Sequence, residues 1–130
     1  DDENVIVSPW LTYFGDDYPS VWKPLPPADN IIFANNTPCS SLYSKALWSK
    51  IGGYDESMTK GYEDWEFWIA LANKGWRFDV VHEPLFLYHP HEGSSCDKMT
   101  PALDRQYKEY IKQKYGIANP MRKPKAIKDI

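Results

Sequence analysis

The chain has few of the residues from which disulfide frameworks and metal knuckles are built. Its 130 residues include two cysteines, Cys39 and Cys96, and no CxxC pair. Two isolated cysteines indicate a reducing, cytosolic compartment rather than a secreted scaffold. The sequence also lacks a run of about 18 apolar residues, the length that a membrane-spanning helix needs. We therefore expect a cytoplasmic protein without a membrane span, at most bound to the inner face of a membrane.

Sequence signatures of several other classes are missing as well. There is no glycine-rich phosphate loop and no GxSxG nucleophile elbow, and Cys39 has no obvious base beside it. The net charge of −3 provides no basic field for nucleic acid, so no nucleic-acid partner is expected. Basic residues do collect late in the chain, where they suit an acidic membrane surface or a partner, although a solvated tail is the simpler explanation. They are Lys108, Lys112, Lys114, Arg122, Lys123, Lys125 and Lys128.

Large aromatic residues, in contrast, are abundant. The chain contains six Trp and nine Tyr, and its hydrophobic content of 42% is enough for the core of one domain. Core packing explains most of these rings, because Trp and Tyr are highly buried on average. The remainder suit stacking on a sugar or a base.

Hydrophobic spacing predicts an α/β chain with short strands and about three helices. Apolar residues at helical spacing predict helices, β-branched and aromatic runs predict strands, and Gly or Pro marks the ends. Repeated prolines predict an irregular loop over residues 15–30, with Trp22 anchoring it. The predicted strands are 5–7, 76–81 and 85–88, and residues 13–14 either continue the first strand or form a neighbouring one. The predicted helices are 42–51, with Ser40 or Ser41 as its N-cap, 63–73 and 101–115.

Two adjacent carboxylates, Glu63 and Asp64, stand at the predicted start of the second helix. Free backbone donors and the helix dipole favour ionised carboxylates at this position. A fixed, ionised Asp can take a proton from a substrate hydroxyl as that hydroxyl attacks. Acidic residues in a first turn are also ordinary helix stabilisers, and spacing alone favours that role.

A pair of histidines, His89 and His91, is the second candidate for chemistry. In a strand the two side chains would face the same side. Neutral imidazole suits Mn, Zn and related ions as a ligand. Two histidines flanking a proline are also common loop residues, so spacing leaves both roles open.

Several short motifs follow one another in an order that resembles a known enzyme family. They are Trp48-Ser-Lys-Ile-Gly-Gly-Tyr-Asp-Glu, Gly61-Tyr-Glu-Asp-Trp-Glu-Phe-Trp, Glu83-Pro-Leu-Phe-Leu-Tyr and His91-Glu-Gly-Ser-Ser. This series is similar to the C-terminal half of the catalytic domain of family 2 glycosyltransferases, which are inverting enzymes of the GT-A fold. The similarity covers roughly residues 30–95.

The resemblance implies that a sugar moves from a nucleotide-sugar donor to an acceptor hydroxyl with inversion, as in polysaccharide biosynthesis. It implies that Asp64 is the catalytic base and that Glu63 orients the site or contacts the acceptor. His91 matches a histidine that helps hold the metal or the diphosphate in some relatives, whereas His89 stands where relatives often carry arginine. Trp65 and Trp68 become candidate stacking faces for a sugar, although burial in the helix core is the stronger expectation for at least one of them. Trp22 becomes a candidate contact to the acceptor.

The resemblance also implies a partial GT-A fold. Family members bind the nucleotide and a divalent ion, Mn or Mg, mainly through an N-terminal βαβ half that ends in Asp-x-Asp. Only Asp1-Asp2 could belong to such a motif here, and the abrupt acidic start indicates a piece excised from a longer chain. We therefore expect residues 1–118 to form the acceptor-side part of an enzyme, inactive by itself, and residues 119–130 to form a Lys/Pro-rich tail.

Two other classes stay open at this point. A non-catalytic carbohydrate-binding or interaction module on the same scaffold would not need Asp64. A metal-dependent hydrolase would need both histidines and a carboxylate around zinc, an arrangement that the spacing supports weakly.

Overall fold

The computed structural model describes residues 4–15, 18–23, 31–32, 34–94 and 98–117. These residues form a small α/β structure with three helices and one mixed sheet of three strands. The predicted tail over 119–130, Asp1-Asp2 and the prolines of the 24–30 segment lie outside the described residues. The elements are β1 (Val5–Gly15), β2 (Tyr18–Trp22), α1 (Lys45–Lys50), α2 (Glu63–Asn73), β3 (Arg77–Tyr88) and α3 (Pro101–Tyr115).

The sheet has the order β2-β1-β3, with β1 antiparallel to β2 and parallel to β3. The prediction of an irregular loop over residues 15–30 is wrong at β2. This strand pairs with the end of β1 in a hairpin, from Leu11 opposite Trp22 to Gly15 opposite Tyr18. Proline is tolerated in an edge strand because, where its nitrogen points away from the neighbouring strand, the missing N–H removes no hydrogen bond between the strands. The local proline signal was therefore overridden by pairing.

The two strands predicted over 76–81 and 85–88 are a single strand, β3. The register against β1 shifts on both sides of the pair Trp10–Pro84, so the ladder bulges where the proline stands. Because β3 is an edge strand, Pro84 interrupts the pairing without ending it. The ring of His82 stacks on that of Trp10 at the bulge, with the centroids 5.4 Å apart.

Helix α1 is shorter than predicted and starts later. Its N-cap is Ser44, whose Oγ accepts a hydrogen bond from the Leu47 backbone N–H at 3.3 Å, rather than Ser40 or Ser41. Leu42 cannot be helical because its backbone N–H and C=O both pair with Val7 of β1. The hydroxyl of Ser41 lies 2.7 Å from that of Ser8. The segment before α1 is thus fastened to the sheet.

Helices α2 and α3 agree with their predicted bounds. Thr100 caps α3, Pro101 occupies its first turn, and Gly116 ends it with φ +64°. Nearly every side of α2 is buried, and its rings pack against Ile6, Leu47 and residues of α3. Burying a large apolar side chain stabilises the fold by about 1.5–3 kcal/mol. Because α2 buries several such side chains, it is the centre of the core.

The far half of β3 differs from this core. Leu85, Phe86 and Leu87 are exposed, and so are Phe14 of β1 and Val21 of β2. Over the ranges that the structure describes, the helices are too short or too polar to span a membrane.

Candidate functional site

Helix α2 begins with an unusual backbone conformation. Gly61 has φ +124° and Tyr62, the N-cap, has φ +61°. A left-handed conformation at a residue with a side chain costs about 1–2 kcal/mol. Such strain persists only where surrounding contacts impose it, and it clusters at functional sites. The turn is therefore the first feature that marks the start of α2 as a candidate site.

The contacts that hold this turn come from α3. The Tyr62 hydroxyl donates a hydrogen bond to Asp104 Oδ1 at 2.6 Å, and the Lys60 backbone N–H donates to the Tyr107 hydroxyl at 3.0 Å. The Tyr62 ring also meets the Trp65 ring edge-on, with the centroids 5.2 Å apart. Burial would raise the pKa of Asp104, but hydrogen bonds from Tyr62 and Lys108 outweigh it and lower the pKa. Asp104 is therefore an ionised acceptor for Tyr62 at neutral pH.

The Asp64 carboxylate is fixed by hydrogen bonds to both of its oxygens. Its Oδ1 accepts the Trp65 backbone N–H at 2.7 Å. The Asn35 side-chain amide lies across the site, and its Nδ2 is 3.3 Å from Oδ1 and 3.3 Å from Oδ2 of Asp64. The carboxylate is thus held by its own helix on one side and by a distant loop on the other.

Asp64 faces a cavity of about 590 Å³, within the usual size range of small-molecule sites. None of the described residues that line it is a lysine or an arginine. The lining combines the carboxylates of Glu63 and Asp64, hydroxyl groups and the Asn35 amide with apolar surface such as that of Met99. The lining residues are Asn35, Cys39, Gly61, Tyr62, Glu63, Asp64, Tyr88, Ser94 and Met99.

Tyr54 lies near this carboxylate without lining the same cavity. Burial, hydrogen bonding with Tyr43 and the negative charge of Asp64 raise the pKa of the Tyr54 phenol well above its usual range. The phenol therefore stays protonated at any physiological pH. Its ring packs against Phe67 of α2, with the centroids 4.9 Å apart.

The structure brings Glu63 and Asp64 together at this cavity, and it places the other predicted site residues elsewhere. Trp65 is 2% exposed, and its indole N–H donates to the Ile31 carbonyl at 2.5 Å. Its ring has no open face, which corrects the expectation that Trp65 stacks on a sugar. Trp22 lies in β2 opposite Leu11 and is not among the described residues that line the cavity.

The histidines do not converge. His91 is exposed, and its Nδ1 lies 3.1 Å from the backbone oxygen of Glu92. His89 stacks on Phe14 of β1, with the ring centroids 4.8 Å apart. Among the residues described, no group of three or more His, Cys, Asp and Glu side chains is placed to hold a metal.

Asn35 and Tyr88 are residues of the cavity lining that the local sequence pattern does not predict. Asn35 belongs to a polar stretch that reads as an ordinary loop, and Tyr88 is the last residue of a strand. Their place at the cavity follows from the pairing of β3 with β1 and from the path of the loop before α1. Neither the strand pairing nor the path of the loop can be predicted from a local sequence pattern.

A second cavity, of about 410 Å³, lies beside an ionic cluster. Lys114 of α3 lies 2.8 Å from Asp55 and 3.0 Å from Glu66, and the Tyr115 hydroxyl bonds to Glu66. Burial would raise the pKa of Asp55, but hydrogen bonds from Lys114, Ser57 and Tyr110 lower it well below its usual range. Both carboxylates have ion-pair and hydrogen-bond partners within the chain. Because Lys114 lies in α3 and Asp55 in the loop before α2, the cluster joins these two elements.

Comparisons with models of protein families, with curated proteins and with solved structures find no match for this chain.

Proposed function

We propose that this chain is the acceptor-side part of an inverting glycosyltransferase, with Asp64 as the general base. The observation that carries the proposal is the Asp64 carboxylate itself. It stands at a helix N-terminus, is held through both oxygens and lines a cavity whose described lining contains no lysine or arginine. The ordered motifs that resemble family 2 glycosyltransferases support the same assignment.

In the proposed reaction, Asp64 accepts the proton of an acceptor hydroxyl as that oxygen attacks the anomeric carbon of the donor sugar. The bond from the anomeric carbon to the nucleoside diphosphate breaks in the same displacement, and the diphosphate leaves with the bonding electrons. Glu63, on the same cavity wall, is placed to contact the acceptor. General-base assistance of this kind contributes about 10²–10⁴ in rate.

The cavity fits the acceptor better than the donor. A nucleotide-sugar carries a diphosphate, and phosphate groups are bound by Lys, Arg, free backbone amides or a metal. The described lining of the Asp64 cavity contains no Lys or Arg. We therefore infer that the donor and any Mn or Mg ion are bound mainly by other parts of a longer cytoplasmic enzyme.

The test is the substitution Asp64→Asn in the full-length gene product. We expect the release of UDP from a panel of UDP-sugars, with saccharide acceptors and Mn²⁺ present, to fall about 10²–10⁴-fold while donor binding is retained. Glu56→Gln, an exposed acid three positions after Gly53, is the matched control and should leave turnover unchanged. Unchanged turnover in Asp64→Asn would refute the catalytic role and favour a non-catalytic carbohydrate-binding module.

A further inference from the structure

The residue that opens α2 has a backbone conformation that its own helix does not explain. Tyr62 is the N-cap of α2 and, among the described residues other than glycine, the only one with a positive φ. Its carbonyl accepts a helical hydrogen bond from the Glu66 backbone N–H at 3.0 Å. Its side chain does not cap the helix. The left-handed conformation therefore needs support from outside α2.

That support comes from the first turn of α3. The Tyr62 hydroxyl donates to Asp104 Oδ1 at 2.6 Å, and Asp104 Oδ2 accepts a hydrogen bond from Lys108 Nζ at 3.0 Å. A hydrogen bond to an ionised acceptor is stronger than one between neutral groups. Because Lys108 holds the other oxygen from the next turn of the same helix, the Asp104 carboxylate is a fixed partner for the phenol.

The two residues before Tyr62 also contact this part of the chain. The Lys60 backbone N–H donates to the Tyr107 hydroxyl at 3.0 Å, and the rings of Tyr62 and Tyr107 have centroids 6.3 Å apart. Gly61 has φ +124°, and a Cβ added there would lie 3.0 Å from Met99 Cε. The turn before α2 therefore packs against α3 and the segment just before it.

This turn sets the position of the proposed base. Asp64 follows Tyr62 by two positions, and both residues line the cavity of about 590 Å³. The dihedral angles of Tyr62 decide the direction in which the chain enters α2. If Tyr62 relaxed to an ordinary negative φ, the start of the helix would turn and the Asp64 carboxylate would move relative to the cavity. Asp104 is not among the described lining residues, and it contacts the cavity wall through Tyr62.

We propose that Asp104 is a positioning residue for the transfer reaction. Acting through the Tyr62 hydroxyl, it holds the N-cap of α2 in the left-handed conformation and so keeps the Asp64 carboxylate in the orientation that removes the acceptor proton. Misplacing a reacting group by about 1 Å can lower a rate about 100-fold. This inference rests on the proposed function.

Kinetics of the full-length gene product test the proposal, with the UDP-sugar and the saccharide acceptor that the wild type uses best. In Asp104→Ala and in Tyr62→Phe, which removes a single hydroxyl, we expect kcat to fall about 10- to 100-fold with both KM values unchanged. The double variant should lose no more than the larger single loss, because the two side chains act through one hydrogen bond. Asp104→Asn keeps a neutral acceptor for the phenol and should retain part of the kcat that Asp104→Ala loses.

General destabilisation would not produce this pattern. Glu109→Gln changes an exposed acid on the same helix, so it is the matched control and should keep the wild-type kcat. Circular dichroism melts show whether each variant is folded at the assay temperature. If Asp104→Ala is not folded there, Tyr62→Phe and Asp104→Asn decide the question.

Three results would each overturn the proposal: a wild-type kcat in Tyr62→Phe, losses that multiply in the double variant, or a raised KM without a lowered kcat. If Tyr62→Phe keeps the wild-type kcat while Asp64→Asn is inactive, only this inference fails. If Asp64→Asn is active, the proposed function fails.

Discussion

Lys114 of α3 is a cation that contacts both the loop before α2 and α2 itself. Its Nζ lies 2.8 Å from Asp55 Oδ2 and 3.0 Å from Glu66 Oε1. The Glu66 side chain is 4% exposed and that of Asp55 is 12% exposed, so both carboxylates have lost most of their water. The hydroxyls of Tyr110 and Tyr115 donate to the same two acids. We predict that Lys114→Met leaves two acids close together with no cation between them.

The expected loss is about 2–3 kcal/mol of unfolding free energy. Removing one partner of a buried ion pair costs about 3–5 kcal/mol, because an uncompensated buried charge remains. The Lys114 side chain is itself 37% exposed, so water can reach the acids after the substitution and screen them. We therefore take a value below that range. For a chain of this size the loss corresponds to a fall in Tm of about 6–15 °C.

Urea unfolding followed by tryptophan fluorescence measures this loss, provided that the m-value is unchanged. Lys112→Met is the matched control, since Lys112 Nζ lies 3.6 Å from Glu109 Oε2 on the surface of the same helix. We expect that variant to lose less than about 0.5 kcal/mol. Adding Glu66→Gln to Lys114→Met should recover part of the loss. Equal stability of the two single variants would refute the idea that this cluster holds α3 in place.

Two further predictions concern stability. Asp55→Asn should be less stable than wild type at pH 7, and the difference should shrink as urea titrations move below pH 4. The pKa of Asp55 is lower in the folded than in the unfolded chain, so the stability that the Asp55 carboxylate contributes is present above about pH 4 and lost on acidification. A stability difference between the variant and the wild type that stays constant with pH would contradict this. Gly52 and Gly53 both have positive φ, so replacing either with Ala should lower the free energy of unfolding, by roughly 1–2 kcal/mol for Gly52→Ala. Gly53→Ala should cost more, because only the Cβ added at Gly53 would lie 2.5 Å from the Trp48 ring. Urea midpoints compare the two, and equal losses would show that the Trp48 ring moves aside freely.

The residues by themselves determined the parts of the fold that depend on local signals. The bounds of α2 and α3 followed from helical spacing and from the proline and glycines at their ends. The pair Glu63-Asp64 at the start of α2 was visible for the same reason. Each of these signals lies within a few positions of the residue that it controls.

Only the tertiary structure decided the features that join distant parts of the chain. Pairing with β1 made a strand of the segment before Trp22 and kept β3 continuous through Pro84. Packing placed Trp65 in the core, although the resemblance made it a candidate stacking face for a sugar. Asn35 and Asp64 are 29 positions apart in the chain, and they meet because the loop that carries Asn35 is anchored to the sheet. Sequence spacing describes neighbours along the chain, whereas a site is made by neighbours in space.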